Sequence, residues 1–398
     1  KLLDEVMVRR LKQDLRAVSG SNFPERRVEQ IDIDGLPEQT AELALARLLE
    51  EYRDVRQQRL NDAKKSTQSA SALVTSHLQQ RLFSSVRAFA RTLAVHERSL
   101  NAEAAGEPAG GGRIDRLAEA LRAPTADQAA MAFDTTNDDA DTGDANDALA
   151  VATVLADQEV TDAKKDEMLR GRETTLLKEM KKIASAAEGL PDARVKKLIE
   201  WIRAELCPGG KWNNRRVLIF TEWTDTLRYL DEQLRGAFAN TDRGEDRIDY
   251  FHGSLGDDRR EELKRRFNAS PAEEPLRILI ATDAAREGLN LQNHCADLFH
   301  FDIPWNPARL EQRNGRIDRV LQKAPVVFCR YFFYRQRPED RVLRAVVRKT
   351  ETIAKQLGSL SPVLEPRLEK LMSEGISRKR VDELEQAVDA AGVAAEQQ

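Results

Sequence analysis

The chain has 398 residues, 41% hydrophobic and 33% charged, with a formal charge of -4 and a pI near 6.0. Such a chain can bury one or two cores, with part left as extended helix or disorder, and its average charge does not announce nucleic-acid binding. Cys207, Cys295 and Cys329 lie far apart with no C-x-x-C pair, which argues against a disulfide framework or a structural zinc site.

In chain order, residues 1–20 are expected as a helix carrying Leu2, Leu3, Val6, Leu11 and Leu15, broken by Pro24. Arg27 to Ile33 alternates like a strand. Helical composition returns over 40–60, over a pair of helices containing Gln79–Ser85 and Ala88–Leu93, and over 173–187. Residues 40–191 therefore read as a largely helical insertion. Within it, residues 101–163 are expected to be a disordered segment, because no basic residue occurs between Arg122 and Lys164 while Asp134, Asp138, Asp139, Asp141, Asp144 and Asp147 crowd together. The apolar stretch Leu149 to Leu155 is the exception, suited to a helical docking element.

From 192 the pattern changes. A helix over 193–206 and the turn Pro208-Gly209-Gly210 lead into a buried strand at 217–220. Helices are then predicted at 224–237, 257–267, near 285 and at 307–314, and strands at 247–251, 276–281, 297–301 and 325–333. Alternation of this kind predicts right-handed crossovers and a parallel sheet covered on both faces, so the fold class is α/β, with the lobe spanning 192–350. A helix at 339–357 and a helical C-terminal tail over 351–398 follow. No apolar run reaches membrane-spanning length and no signal peptide is recognised, so a reducing cytoplasm and no membrane partner are expected.

Two segments carry candidate chemistry. Leu276 to Ile280 leads directly into Ala281-Thr282-Asp283-Ala284-Ala285-Arg286-Glu287-Gly288-Leu289-Asn290. Polar groups at strand C-termini are where open α/β sheets bind ligands. Gly288 permits close backbone approach, Thr282 offers a hydroxyl to a phosphate, and Asn290 can bond a ribose or a neighbouring side chain. The bland alternative is a strand-end turn with an incidental glycine. Downstream, Gln312, Gly315, Arg316 and Arg319 form a Q-R-x-G-R-x-x-R pattern. Two guanidinium forks three residues apart on one helix face suit a triphosphate; the alternative is a solvated arginine-rich face. The basic run from Arg309 to Lys349 predicts a positive surface. His294, Cys295 and His300 are close in sequence, but alternating burial around a strand explains them better than metal ligation, so no metal site is assigned.

These two segments, with Arg215 to Leu234 and Tyr250-Phe251-His252-Gly253-Ser254, resemble the second RecA-like lobe of superfamily-two helicases. Phe301-Asp302-Ile303-Pro304-Trp305-Asn306-Pro307 is similar to the D-x-x-W-N-P step of Swi/Snf-type double-stranded-DNA translocases, and Met7 to Leu15, Phe23 to Arg26 and Leu36 to Gln39 resemble the segment leading out of their first lobe. The ordered set resembles most the bacterial RapA-like and DISARM-helicase-like branch. Residues 1–39 would then link a first lobe to this one.

The resemblance implies ATP and Mg²⁺ as cofactors, a first RecA-like lobe and double-stranded DNA as partners, and a defence-system or RNA-polymerase partner besides. The chain has no G-x-x-x-x-G-K-[ST] loop and no D-E-x-H or D-E-A-D box, so the first lobe is expected to bind the phosphates and Mg²⁺. That lobe would be upstream in one polypeptide or a separate chain; a start at Lys1 inside a family segment favours the former. The implied roles are an arginine finger for Arg319, the γ-phosphate for Arg316, and the nucleotide and lobe interface for Gln312. Glu287, Gly288 and Asn290 would sense ATP. Thr221, His252, Gly253 and Thr282 would grip the DNA backbone, with Trp305 touching DNA or nucleotide, or anchoring a buried turn. Three readings follow: a DNA-stimulated ATPase lobe, with phage defence as a candidate role; a recycling motor for RNA polymerase; and a non-catalytic nucleic-acid-binding scaffold.

Overall fold

The computed structural model describes residues 24–104, 149–150, 152–154, 163–253, 255–283, 290–319, 322–357 and 375–396. The helix expected over 1–20 and the motif helix near 285 lie outside the described residues, as do 105–148 and 155–162 of the segment expected to be disordered. Of the remainder, residues 101–104 depart from the expectation of disorder, while Leu149 and Ala152 belong to the apolar stretch already set apart from it. A helix runs on to Ala104, and Leu149 and Ala152 are buried in a core of helices.

Six parallel strands form one sheet: β1 (Glu25–Ile33), β2 (Val217–Thr221), β3 (Ile248–Phe251), β4 (Ile278–Thr282), β5 (Asp297–His300) and β6 (Val326–Tyr334), in the order β1-β6-β5-β2-β4-β3. The expected α/β parallel-sheet lobe is thus present. β2 and β4 are buried at every residue, as strands covered on both faces must be. Alternation then divides β2 between two cores. Val217 and Ile219 pack with α5 (Ala193–Glu205) and α6 (Thr224–Phe238), while Leu218 and Phe220 pack with α7 (Asp257–Asn268) and Ile317. β1, at the edge, pairs along its whole length with β6 from Glu25↔Val326 to Ile33↔Tyr334. Residues 25–33 are accordingly part of the sheet.

The helical part contains α1 (Ala41–Arg59), α2 (Lys65–Ser84), α3 (Val86–Ala104) and α4 (Ala163–Ala187). These share one core with α9 (Asp340–Leu357) and with Ile376, Val381, Leu384 and Val388, the last three on α10 (Val381–Glu396). The segments expected as insertion and tail therefore fold against each other. Gln79 makes paired hydrogen bonds to the backbone of Ile376, both at 2.8 Å. Gly375, at φ 84°, sits where a Cβ would meet the Arg53 guanidinium at 2.6 Å, so close approach and left-handed backbone both require glycine. The first three turns of α2, rich in serine and threonine, were not anticipated as helix. Burial of Ala70, Leu73, Val74 and Leu78 outweighs their weak propensity. Among the described residues no helix is long and apolar enough to cross a membrane.

Candidate functional site

The C-terminal ends of β2, β4 and β5 meet the eight-residue helix α8 (Pro307–Asn314). Asn306 caps it by accepting the Ala308 N–H at 2.8 Å, and Pro307 presets the first turn. Arg309 and Arg313, four residues apart, lie one turn apart along the helix and both turn toward the strand ends. Arg313, only 2% exposed, forks onto both oxygens of Asp283 at 2.5 and 2.8 Å and donates to the Asp302 carbonyl at 2.8 Å and carboxylate at 3.3 Å. Burial opposes its charge, but Asp283 and Asp302 overcome that and hold the guanidinium ionised. Asp302 also accepts from the Thr221 hydroxyl at 2.6 Å and the Glu222 N–H at 2.9 Å. Arg309 pairs with Glu222 at 3.1 Å. Burial nevertheless pushes the Glu222 carboxyl up to about 7, with Asp283 and Asp302 adding to it against the two arginines.

The sequence reading missed this hub of Glu222, Asp283, Asp302, Arg309 and Arg313. Its signal was available, since Arg313 stands inside the Q-R-x-G-R-x-x-R pattern, Asp302 opens the D-x-x-W-N-P step and Asp283 follows Thr282. The reading favoured groups that looked free to touch a ligand, whereas these are consumed holding the strand ends together.

One premise is corrected. Arg316 and Arg319 do not share a helix face, because α8 ends at Asn314 and Gly315 caps it. Both lie in the following turn, where local hydrogen bonds replace helical spacing as the determinant of their positions. Arg316 is buried. Arg319 is partly exposed, donates to the Gly315 carbonyl at 2.6 Å and bonds the Asn290 side-chain oxygen, so the structure brings Asn290 to a neighbouring side chain. Gln312 is exposed on α8. Glu287 and Gly288 lie outside the described residues.

Thr221 is buried in its bond to Asp302, whereas the buried Thr282 hydroxyl has no hydrogen-bond partner among the described residues. His252 stacks on Tyr250 at 5.7 Å, and the Gly253 carbonyl accepts from Arg260; both residues follow β3, at the edge of the sheet. Trp305 is 7% exposed and 6.4 Å from the Phe83 ring in the helical core, a packing that suits a buried anchor.

The expected positive surface from Arg309 to Lys349 is largely neutralised. Arg330 pairs with Glu29 and Asp297, Arg335 with Asp32, Arg337 with Asp340, and Arg341 with Asp382 and Glu385. These partners come from elsewhere in the fold or from acidic neighbours that a count of basic residues ignores. Beside α8, burial and Arg313 pull His300 down to about 3, with its Nε2 2.8 Å from the Asn314 side-chain oxygen. Cys207, Cys295 and Cys329 are buried free thiols.

With strand ends, α8 and the arginine turn in place, residues 194–320 match the family model of the helicase conserved C-terminal domain. That match and the parallel sheet define the class of this segment: a helicase C-terminal domain of α/β fold. The chain is similar to the uncharacterized ATP-dependent helicase YqhH of Bacillus subtilis (strain 168), 32% identical over 149 residues, 37% of this chain and 24% of that protein. It is also similar to RNA polymerase-associated protein RapA of Vibrio cholerae serotype O1 (strain M66-2), 30% identical over 135 residues, 34% of this chain and 12% of that protein. A solved structure of the C-terminal part of the Fun30 ATPase domain aligns with a TM-score of 0.44 and 14% identity, covering 92% of this chain and 98% of that one. The chain thus spans a quarter or less of the length of the two curated relatives.

Proposed function

We propose that this chain forms the second wall of the ATP cleft of a double-stranded-DNA translocase, acting with a first RecA-like lobe and inactive as an ATPase without it. The observation that carries the reading is the turn after α8. Arg319, partly exposed, is held there by Gly315 and Asn290, just beyond a helix locked to the strand ends by Arg313. Arg319 would serve as the arginine finger, with Arg316 at the γ-phosphate and Gln312 at the lobe interface. The unpartnered Thr282 hydroxyl fits a phosphate oxygen of nucleotide or DNA backbone. Mg²⁺ would supply charge neutralisation at the phosphates. Glu222, Asp283 and Asp302 do not fit as its ligands, because each is already engaged by Arg309 or Arg313, and its binding is assigned to the first lobe.

Phosphoryl transfer is mostly positioning and charge stabilisation, so a fixed arginine is the contribution this lobe is equipped to make. Duplex contacts by His252, Gly253 and Thr282 would go to phosphates, which carry no sequence information. The test is ATP hydrolysis by the chain combined with its first lobe, with and without duplex DNA of unrelated sequences. Stimulation that is independent of sequence and falls steeply with salt supports the reading; hydrolysis by this chain alone, indifferent to Arg319→Ala, refutes it.

A second reading, docking on RNA polymerase, is favoured by the likeness to RapA; co-purification with polymerase tests it. Service in phage defence rests on the sequence resemblance, and phage challenge of a deletion strain tests that.

A further inference from the structure

We propose that Ser84, at the corner between α2 and α3, is a positioning residue for the arginine turn, so that the helical part of the chain sets the geometry of the nucleotide face. This rests on the ATPase reading above. The corner lies outside the residues that match the helicase family model, yet it reaches the centre of the candidate site. The Ser84 hydroxyl, 1% exposed, donates to the Asp302 carboxylate at 2.5 Å. Asp302 is the same group that orients Arg313.

The proton count gives this contact a direction. A carboxylate with arginine beside it only accepts, so the single Ser84 proton is committed to Asp302. The Ser84 oxygen must then accept from Thr226, 2.7 Å away on α6. Thr226 in turn accepts from Ser85 at 2.7 Å, whose oxygen receives the Ala88 N–H at 3.0 Å and so caps α3. One row of hydrogen bonds therefore runs from the first turn of α3 through Ser85, Thr226 and Ser84 to Asp302. It continues through Arg313 to Asp283 at the end of β4.

The corner is held against the sheet independently of this row. Arg194 donates to the carbonyls of Phe83 and Ser84 at 2.5 and 2.7 Å, and its own charge is matched by Asp192 at 3.0 Å. Because Arg194 fixes the backbone there, the Ser84 hydroxyl is not needed to dock the helices. Its separable contribution is one of the hydrogen bonds on the second oxygen of Asp302, shared there with the Thr221 hydroxyl. Without that donor, Asp302 keeps the Thr221 hydroxyl and the Glu222 N–H but is held less tightly, so Arg313 has a less fixed partner and the turn carrying Arg316 and Arg319 a looser anchor.

The experiment uses Ser84→Ala and Thr226→Val in the complete chain. Combined with the first lobe, Ser84→Ala is expected to lower kcat about tenfold through misplacement of the arginine turn, with KM for ATP and duplex affinity within about twofold. Thr226→Val leaves the last bond in place, and its loss is expected to be about two- to threefold. An unchanged kcat in Ser84→Ala overturns the proposal while leaving the ATPase reading intact. If the wild-type pair does not hydrolyse ATP, that reading fails and amide hydrogen exchange on this chain alone decides the structural claim. Faster exchange confined to residues 302–319 supports positioning by Ser84; unchanged exchange there, or acceleration spread equally through α1 to α4, overturns it.

Discussion

Arg313→Met in this chain alone tests whether the hub holds the strand ends together. The methionine retains much of the side-chain volume and removes the charge, so packing changes least and electrostatics most. In the native lobe the guanidinium makes a bidentate pair with Asp283 and two contacts with Asp302, with all three side chains nearly excluded from water. Removing one partner of a buried pair costs about 3 to 5 kcal/mol, because the remaining carboxylates are left charged and dry. Here two carboxylates are stranded beside Glu222, which favours the upper half of that range. The assay is urea unfolding at pH 7.5 followed by circular dichroism and tryptophan fluorescence, with stability taken from the midpoint at a common slope. Adding Asp283→Asn should return part of the loss, since the double variant carries one less uncompensated charge, and the cycle gives the coupling directly. A cost below about 1 kcal/mol, or strict additivity with Asp283→Asn, would refute the view that this is a closed, dry ion-pair hub.

Arg319→Ala in the two-lobe assembly is expected to lower kcat by about 10³-fold or more with little change in duplex affinity, and steady-state kinetics beside a DNA-binding titration checks both. The pH dependence of stability should carry two opposed contributions. Glu222 titrates higher in the fold than when unfolded, so its contribution is present below about 4.5 and is lost as pH rises through about 7. His300 is held neutral down to about 3, so its contribution is lost as pH falls from about 6.5 toward 3. Urea midpoints across pH 4 to 8 should therefore lose their alkaline decline in Glu222→Gln and part of their acid decline in His300→Asn. Trp305→Ala should cost about 3 to 5 kcal/mol of stability through the cavity it leaves; undiminished stability with weakened duplex binding would show instead that the ring faces the ligand.

The alternation of apolar runs and helical stretches after residue 192 was enough to determine a parallel sheet, because strands covered on both faces are nearly continuous apolar runs, as β2 and β4 are up to their terminal threonines. The Q-R-x-G-R-x-x-R and D-x-x-W-N-P segments likewise pointed to the strand-end face, since residue types that suit phosphate chemistry are visible without coordinates. What those residues do to one another was not visible. Helical spacing was assumed for Arg316 and Arg319, but Gly315 ends α8 between them and Arg313, so the turn and its hydrogen bonds set their positions. A basic run read as surface charge became a set of ion pairs, since the acids that neutralise Arg330 and Arg335 are contributed by β1 and β5. Ser84 and Asp302 stand 218 residues apart, and no periodicity relates them. Local sequence determines which backbone forms and which face is apolar. Only chain closure in three dimensions decides which polar groups meet at the ends of parallel strands, because the crossovers bring to one edge side chains that are remote along the chain.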